Sequence, residues 1–70
     1  NEANYLKRIG KNIKELRNSK GISQAELAYR CNLEKANLSR LESGNTNPTI
    51  KTLFKISKAL KVNIIDLLKM

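Results

Sequence analysis

The sequence contains no histidine, no tryptophan and a single cysteine, Cys31, among its 70 residues. Without histidine or clustered cysteines, the usual ligands of a zinc or other transition-metal site are missing, so we expect no metal and no cofactor. One cysteine also excludes an internal disulfide, and the place of Cys31 on an apolar helix face favours a structural role. Cys31 is therefore expected to pack in the core as a small hydrophobic side chain.

Acidic residues are also scarce, and they are scattered along the chain. The six aspartate and glutamate residues form no close pair, and no serine has a histidine to serve as its base. Acid–base and nucleophilic catalysis both lack their usual residues. The three glycines make no phosphate-binding loop. We expect that the protein is not an enzyme.

Long apolar segments are missing as well. No run approaches the roughly 20 residues of a membrane span, and no signal peptide is visible, so we expect a cytoplasmic protein. Basic residues are abundant: 14 lysines and arginines give a formal charge of +8. Such a charge favours a polyanionic partner, nucleic acid first. Membrane-surface binding is less favoured because the cations are spread over several helices.

Apolar residues recur every three or four positions, which predicts an all-α chain that folds as one domain over residues 1–70. Gly21 is expected to end the first helix with a left-handed backbone, and Ser23 with Glu26 is expected to form a capping box for the second. Asn63 and Asp66 repeat that pattern before the last helix. The predicted helices are 4–20, one that begins at Ser23, 34–43, 50–60 and a short fifth helix after Asn63.

The second and third helices organise the rest of the chain. Leu27, Ala28 and Cys31 share one face of the second helix, and Leu38 and Leu41 share one face of the third. The helical period is thus broken and restarted within a short distance, which indicates two helices that meet at a tight turn.

These residues resemble the helix-turn-helix of the phage-repressor (Cro/Xre) family of DNA-binding regulators. The similarity extends over residues 9–68, and its most specific segments are SQAELA at 23–28, LSRLESG at 38–44 and NP at 47–48. The resemblance implies a compact five-helix, lambda-repressor-like fold and sequence-specific binding of double-stranded DNA, with the recognition helix 34–43 in the major groove. Within this family, the chain resembles small phage repressors and the controller proteins of restriction–modification systems.

The chain departs from the family pattern at two positions. Asn32 stands where the family usually has glycine, although asparagine tolerates a left-handed backbone. Glu34 stands where the family usually has a serine, threonine or aspartate cap. Glutamate caps a helix poorly, and this one places a negative charge near the expected path of the phosphates.

The outward face of the third helix carries the side-chain types that read base edges. We expect Arg40 to read guanine through its two-pronged guanidinium, whereas Lys35 reads a base or holds a phosphate. The predicted base contacts are Lys35, Ala36, Asn37, Ser39 and Arg40.

The resemblance also implies phosphate contacts from the start of the second helix and from the loop after the third. For Gln24 a merely solvated position is the alternative, and Tyr29 either holds a phosphate or covers the edge of the core. The predicted phosphate contacts are Gln24, Tyr29, Ser43, Asn45 and Thr46.

Two further expectations concern contacts within and between chains. The resemblance implies an ion pair between Arg17 and Glu42 that ties the first helix to the third.

The last helix is too apolar for one buried face, with Leu67 the best core residue by spacing, so we expect a homodimer on a palindromic operator. The predicted interface residues are Ile64, Ile65 and Leu68. The alternatives are a monomer that buries them all and, for function, an antitoxin that binds a toxin as well as DNA.

Overall fold

The computed structural model describes all residues from Asn1 to Met70 and contains helices only. Its five helices are α1 (Glu2–Ser19), α2 (Gln24–Cys31), α3 (Lys35–Glu42), α4 (Ile50–Leu60) and α5 (Ile64–Leu68). The all-α prediction is confirmed. The first helix begins earlier than predicted because the Asn1 side chain accepts a hydrogen bond from the backbone N–H of Asn4 and so caps it.

The caps of the shorter helices follow the sequence with one exception. Asn63 and Asp66 form a complete capping box at α5. At α2 the Ser23 hydroxyl accepts from the N–H of Glu26 at 3.0 Å, but Glu26 does not return the bond. Its carboxylate lies 2.9 Å from Nε of Arg30 instead. The capping-box prediction is therefore wrong for this second half, because a cation one turn along the helix competes for the carboxylate.

The chain reverses direction through left-handed residues. Gly21 has φ of +67° after α1, and Asn32 has φ of 57° between α2 and α3. Both agree with the expected backbone. Asn32 thus makes the turn with a left-handed backbone that glycine adopts most easily, and α3 begins three residues later.

One cluster of buried apolar side chains lies where the helices meet. Its members are Ile13, Leu27, Ala28, Cys31, Leu38, Leu41, Leu53, Ile56, Leu60 and Leu67. Burial raises the pKa of the Cys31 thiol, and the nearby Lys55 opposes that shift. A neutral, buried thiol is consistent with the structural role expected for this cysteine.

Two buried contacts fix α1 against its neighbours. At Gly10, an added Cβ would lie 2.4 Å from the carbonyl oxygen of Leu41, so α1 and the end of α3 touch backbone to backbone. At the other side, the Asn12 amide donates to the carbonyl oxygens of Leu67, at 3.0 Å, and Lys69, at 2.8 Å. The long first helix therefore positions both α3 and α5.

Candidate nucleic-acid interface

Helix α3 has a buried face and a polar face. Leu38, Leu41 and Glu42 are buried, and they hold α3 against the rest of the molecule. The five predicted base-contacting residues are all exposed: Lys35, Ala36, Asn37, Ser39 and Arg40. Their placement on an open helix surface is what groove binding requires, although contact with bases remains a prediction.

The expected ion pair of Arg17 and Glu42 is present and has two hydrogen bonds. Arg17 donates from Nε to Oε2 at 2.7 Å and from Nη2 to Oε1 at 3.0 Å. A third donor of the guanidinium, Nη1, reaches the carbonyl oxygen of Ile22 at 2.9 Å. The two side chains are only 10% and 4% exposed. Paired geometry of this kind is the strong form of a charge-assisted hydrogen bond.

The electrostatic consequence appears in the pKa of Arg17. The hydrogen bonds that Arg17 donates to Glu42 raise this pKa above its ordinary value, burial lowers it, and the charge of Glu42 raises it further. The net direction is upward, so the guanidinium stays charged well above neutral pH. The pair therefore braces α1 against the end of α3.

Gln24 joins this brace from the first turn of α2. Its Nε2 donates to Oε1 of Glu42 at 3.0 Å, which uses one of the two amide hydrogens. The second hydrogen is available to an acceptor. Gln24 is thus more than a solvated surface residue, and sequence reasoning missed its bond to Glu42, which depends on how α2 and α3 cross.

A hollow of about 300 Å³ lies where α1, α2 and α3 meet. Its lining is entirely polar or charged: Lys14, Arg17, Gln24, Ser39, Glu42 and Ser43. The predicted base contact Ser39 and phosphate contacts Gln24 and Ser43 are therefore brought together. Lys14, which the sequence alone gave no reason to distinguish from other surface lysines, adds a cation there.

The loop after α3 is ordered by its own hydrogen bonds. The Ser43 hydroxyl donates toward the carbonyl oxygens of Ser39, at 3.0 Å, and Arg40, at 3.1 Å. It also accepts from the side chain of Asn45 at 3.2 Å. With its hydrogen turned toward the helix, Ser43 orients Asn45 and would have to rotate to donate to a phosphate. Asn45 is exposed and Thr46 half-buried.

Tyr29 lies away from the core. Its side chain is 83% exposed, which excludes the alternative that it covers the core edge. Its predicted phosphate contact stays a prediction.

The burial of the apolar residues of α5 agrees only in part with the prediction from their spacing. Leu67 is fully buried, and Ile65 is 61% exposed. Ile64 and Leu68 are half-buried against the core. In α4, Ile50 and Phe54 belong to the apolar stripe by spacing, yet they are 67% and 49% exposed. The structure therefore has more uncovered apolar surface near α4 and α5 than the sequence indicates.

Other kinds of site are not visible. No three histidine, cysteine, aspartate or glutamate side chains lie close enough to hold a metal ion. None of the helices combines the length and the hydropathy of a transmembrane segment.

Comparisons with known proteins agree with this geometry. The helix-turn-helix family HTH_3 matches residues 13–67. The chain is 39% identical over 61 residues to y4dJ, an uncharacterized HTH-type transcriptional regulator of Sinorhizobium fredii, with 87% of this chain and 79% of y4dJ covered. It is 40% identical over 61 residues to the control protein C.BamHI of Bacillus amyloliquefaciens, with 86% and 75% covered.

The fold is also that of a solved structure. The restriction–modification controller protein C.AhdI from Aeromonas hydrophila superimposes with a TM-score of 0.87 and 31% identity, over 89% of this chain and 94% of C.AhdI. The resemblance inferred from the sequence motifs is confirmed. The chain belongs to the HTH_3 helix-turn-helix family, a class of DNA-binding transcriptional regulators.

Proposed function

We propose that the protein binds a specific double-stranded DNA sequence by placing α3 in the major groove. The observation that carries this proposal is the exposed face of α3, which presents lysine, arginine, amide and hydroxyl groups. The opposite face of α3 is buried against the rest of the molecule. An α-helix with its side chains is about 10–12 Å across, which fits the major groove, about 12 Å wide. Arg40 and Lys35 are the proposed base readers.

Phosphate contacts on either side of α3 would fix its register on the duplex. Gln24 has one amide hydrogen unused and sits at the start of α2, where backbone N–H groups favour an anion. Asn45 and Thr46 follow the other end of α3 in a loop that its own hydrogen bonds hold in place. Tyr29 and Ser43 complete the proposed set, Ser43 after a rotation of its hydroxyl. Such contacts supply affinity without sequence information.

We further propose that two chains bind a palindromic operator as a homodimer. One α3 reads only a few base pairs, and a two-fold pair of such helices reads two half-sites one helical turn apart. Ile65 offers an exposed apolar side chain on α5, flanked by the half-buried Ile64 and Leu68. Phe54 on α4 is a second large apolar side chain that is exposed. Exposed apolar surface of this kind is typical of an interface.

The location of the protein and the class of its activity follow from the proposed DNA binding. A DNA-binding regulator works where the DNA is, so we place it in the cytoplasm, as a non-enzymatic single domain. The antitoxin alternative gains no support from the relatives described above, which are named as a transcriptional regulator and as controller proteins.

Selection of bound duplexes from a random pool tests the proposal. Repeated rounds with the wild-type protein are expected to enrich one sequence with two-fold symmetry. Failure to enrich any sequence, at a salt concentration where the protein still retains DNA, would overturn the proposal of specific binding. Enrichment of a site without symmetry would overturn the dimer alone.

A further inference from the structure

One edge of α3 carries three polar side chains in successive turns. Glu34, Asn37 and Arg40 are three residues apart, so their side chains lie one above another on the helix surface. Asn37 donates from Nδ2 to Oε1 of Glu34 at 3.4 Å. The Asn37 carbonyl oxygen Oδ1 accepts from Nη2 of Arg40. Both ends of the Asn37 amide are therefore engaged within the helix itself.

The carboxylate of Glu34 decides which way the amide of Asn37 points. The two orientations of an asparagine amide have nearly the same shape but opposite chemistry at each end. An ionised carboxylate only accepts hydrogen bonds, so it selects the orientation with the NH₂ group toward Glu34 and the oxygen toward Arg40. Glu34 is available for this because its side chain makes no capping bond to the backbone of α3.

We propose that Asn37 is a positioning residue for Arg40, and that Glu34 sets its orientation. Held at one terminal nitrogen, the Arg40 guanidinium loses much of its rotational freedom before DNA arrives and keeps other N–H donors free for guanine. A side chain ordered in advance loses less entropy on binding and tolerates a wrong base less well. On this view Asn37 contacts no base, although its amide is of the type that pairs with adenine.

This inference rests on the proposed function and adds a specificity device to it. It also gives a role to Glu34, which stands at the position where the family usually has a serine, threonine or aspartate cap. A carboxylate near the DNA weakens binding to every sequence, because it repels phosphates. The hydrogen bond that Glu34 accepts from the Asn37 amide keeps Arg40 in one geometry. Glu34 thus lowers the affinity for all DNA and increases the discrimination between sequences.

The first test replaces Asn37 with alanine. The selected duplex and a set of single base-pair changes are titrated with wild type, Arg40→Ala and Asn37→Ala. Preference at the base pair read by Arg40, identified as the one that Arg40→Ala loses, is expected to fall about tenfold in Asn37→Ala. The double variant should lose no more there than Arg40→Ala alone. Asn18→Ala, the same substitution at an exposed position of α1 outside the proposed DNA contacts, should leave that base pair unchanged.

Three results would count against the positioning role. Full preference at the Arg40 base pair in Asn37→Ala would mean that Arg40 needs no support. Loss of preference at a different base pair would mean that Asn37 itself reads a base. A merely structural effect would lower the melting temperature and leave the pattern of preferences unchanged, and it too counts against the proposal.

The second test reverses the charge that orients the amide. In Glu34→Lys, a donor replaces the acceptor, so the amide turns over and presents its NH₂ group to Arg40. We expect binding to random duplex to tighten while preference at the Arg40 base pair falls about tenfold. Glu15→Lys makes the same charge change at an exposed position of α1 and should tighten random binding without loss of preference.

The outcomes separate this inference from the function on which it rests. A wild-type protein with no sequence preference would overturn both. A wild-type protein that discriminates, and whose preference at the Arg40 base pair survives Glu34→Lys, would overturn the positioning role alone.

Discussion

At the scale of single residues, Gly10 sets the distance between α1 and α3. A methyl group there would lie 2.4 Å from one carbonyl oxygen of α3 and 2.5 Å from the next, and backbone atoms cannot move aside as a flexible side chain does. No apolar pattern in the sequence reveals this, because a glycine inside a helix looks like an isolated defect until its neighbour is known.

Gly10→Ala is therefore expected to destabilise the protein, although alanine is the better helix former. Overpacking typically costs about 1–3 kcal/mol, against a gain of about 1 kcal/mol in helix propensity. Urea unfolding measures the net change in the free energy of unfolding. Gly21→Ala is the control: its φ is +67° and nothing lies within 4 Å, so only backbone strain is expected. A Gly10→Ala protein more stable than wild type would contradict the close approach.

Arg40 is the residue on which base reading depends most. Its exposed position on α3 and its two-pronged donor geometry predict that Arg40→Ala costs about 1–3 kcal/mol on the selected site and relaxes specificity at one base pair. Fluorescence anisotropy with specific and random duplexes measures both affinities. An equal loss on the two duplexes would show that Arg40 serves only as a phosphate-binding cation.

At the scale of helices, the buried ion pair of Arg17 and Glu42 connects α1 to the end of the recognition helix. Removal of one partner leaves the other charge buried, which costs about 3–5 kcal/mol when burial is complete. Removal of Glu42 also leaves the Gln24 amide without its hydrogen-bond acceptor. In a chain of 70 residues, such a cost is a large share of the stability.

A double-mutant cycle tests this brace. Arg17→Ala, Glu42→Ala and the double variant are unfolded side by side, and the double loss is expected to be clearly smaller than the sum of the single losses. Additive losses would show that the pair contributes no coupling. The raised pKa of Arg17 adds stability that is fully present below the arginine's ordinary pKa and is lost only as pH rises through the higher folded value. Near neutral pH, the titration of Arg17 should therefore cause no change in stability.

Much of the architecture at this scale is predictable from the sequence. Apolar spacing and caps locate the helices to within about two residues, because both are local properties. Asn32 and Gly21 also mark their turns correctly. The sequence alone does not show which of several possible hydrogen-bond partners a polar side chain takes. Arg30 draws Glu26 away from the cap, and Glu34 accepts a hydrogen bond from the Asn37 amide.

The candidate site was predictable to a similar extent. Exposure of Lys35 and Arg40 follows from helical periodicity opposite Leu38 and Leu41. The network of Gln24 with Glu42 joins residues that are 18 positions apart, and its geometry is set by the crossing of α2 and α3. Long-range crossings of this kind are not encoded in any local pattern.

At the scale of the whole molecule, oligomeric state and charge act together. Ile65→Asp places a charge in the proposed interface on an exposed side chain, so the variant is expected to fold as a monomer. Its operator affinity should fall, and its salt dependence should decrease because about half of the phosphate contacts are lost. Sedimentation equilibrium at micromolar concentrations gives the mass.

Tyr29→Asp is the matched control, an exposed aromatic on α2 that lies outside the proposed interface. It should leave the mass of the dimer unchanged. A wild-type protein that is monomeric at these concentrations, and that binds one half-site as tightly as the full palindrome, would contradict the dimer.

The central claim is that this basic, helix-turn-helix chain reads sequence instead of merely attracting DNA through its charge of +8. The most direct measurement is the ratio of wild-type affinities for the selected duplex and for a scrambled duplex of the same length and composition, at physiological salt. Base reading by α3 predicts a ratio of about 10³ or more. Equal affinities for the two duplexes would contradict it, because they would show that charge alone holds the protein on DNA.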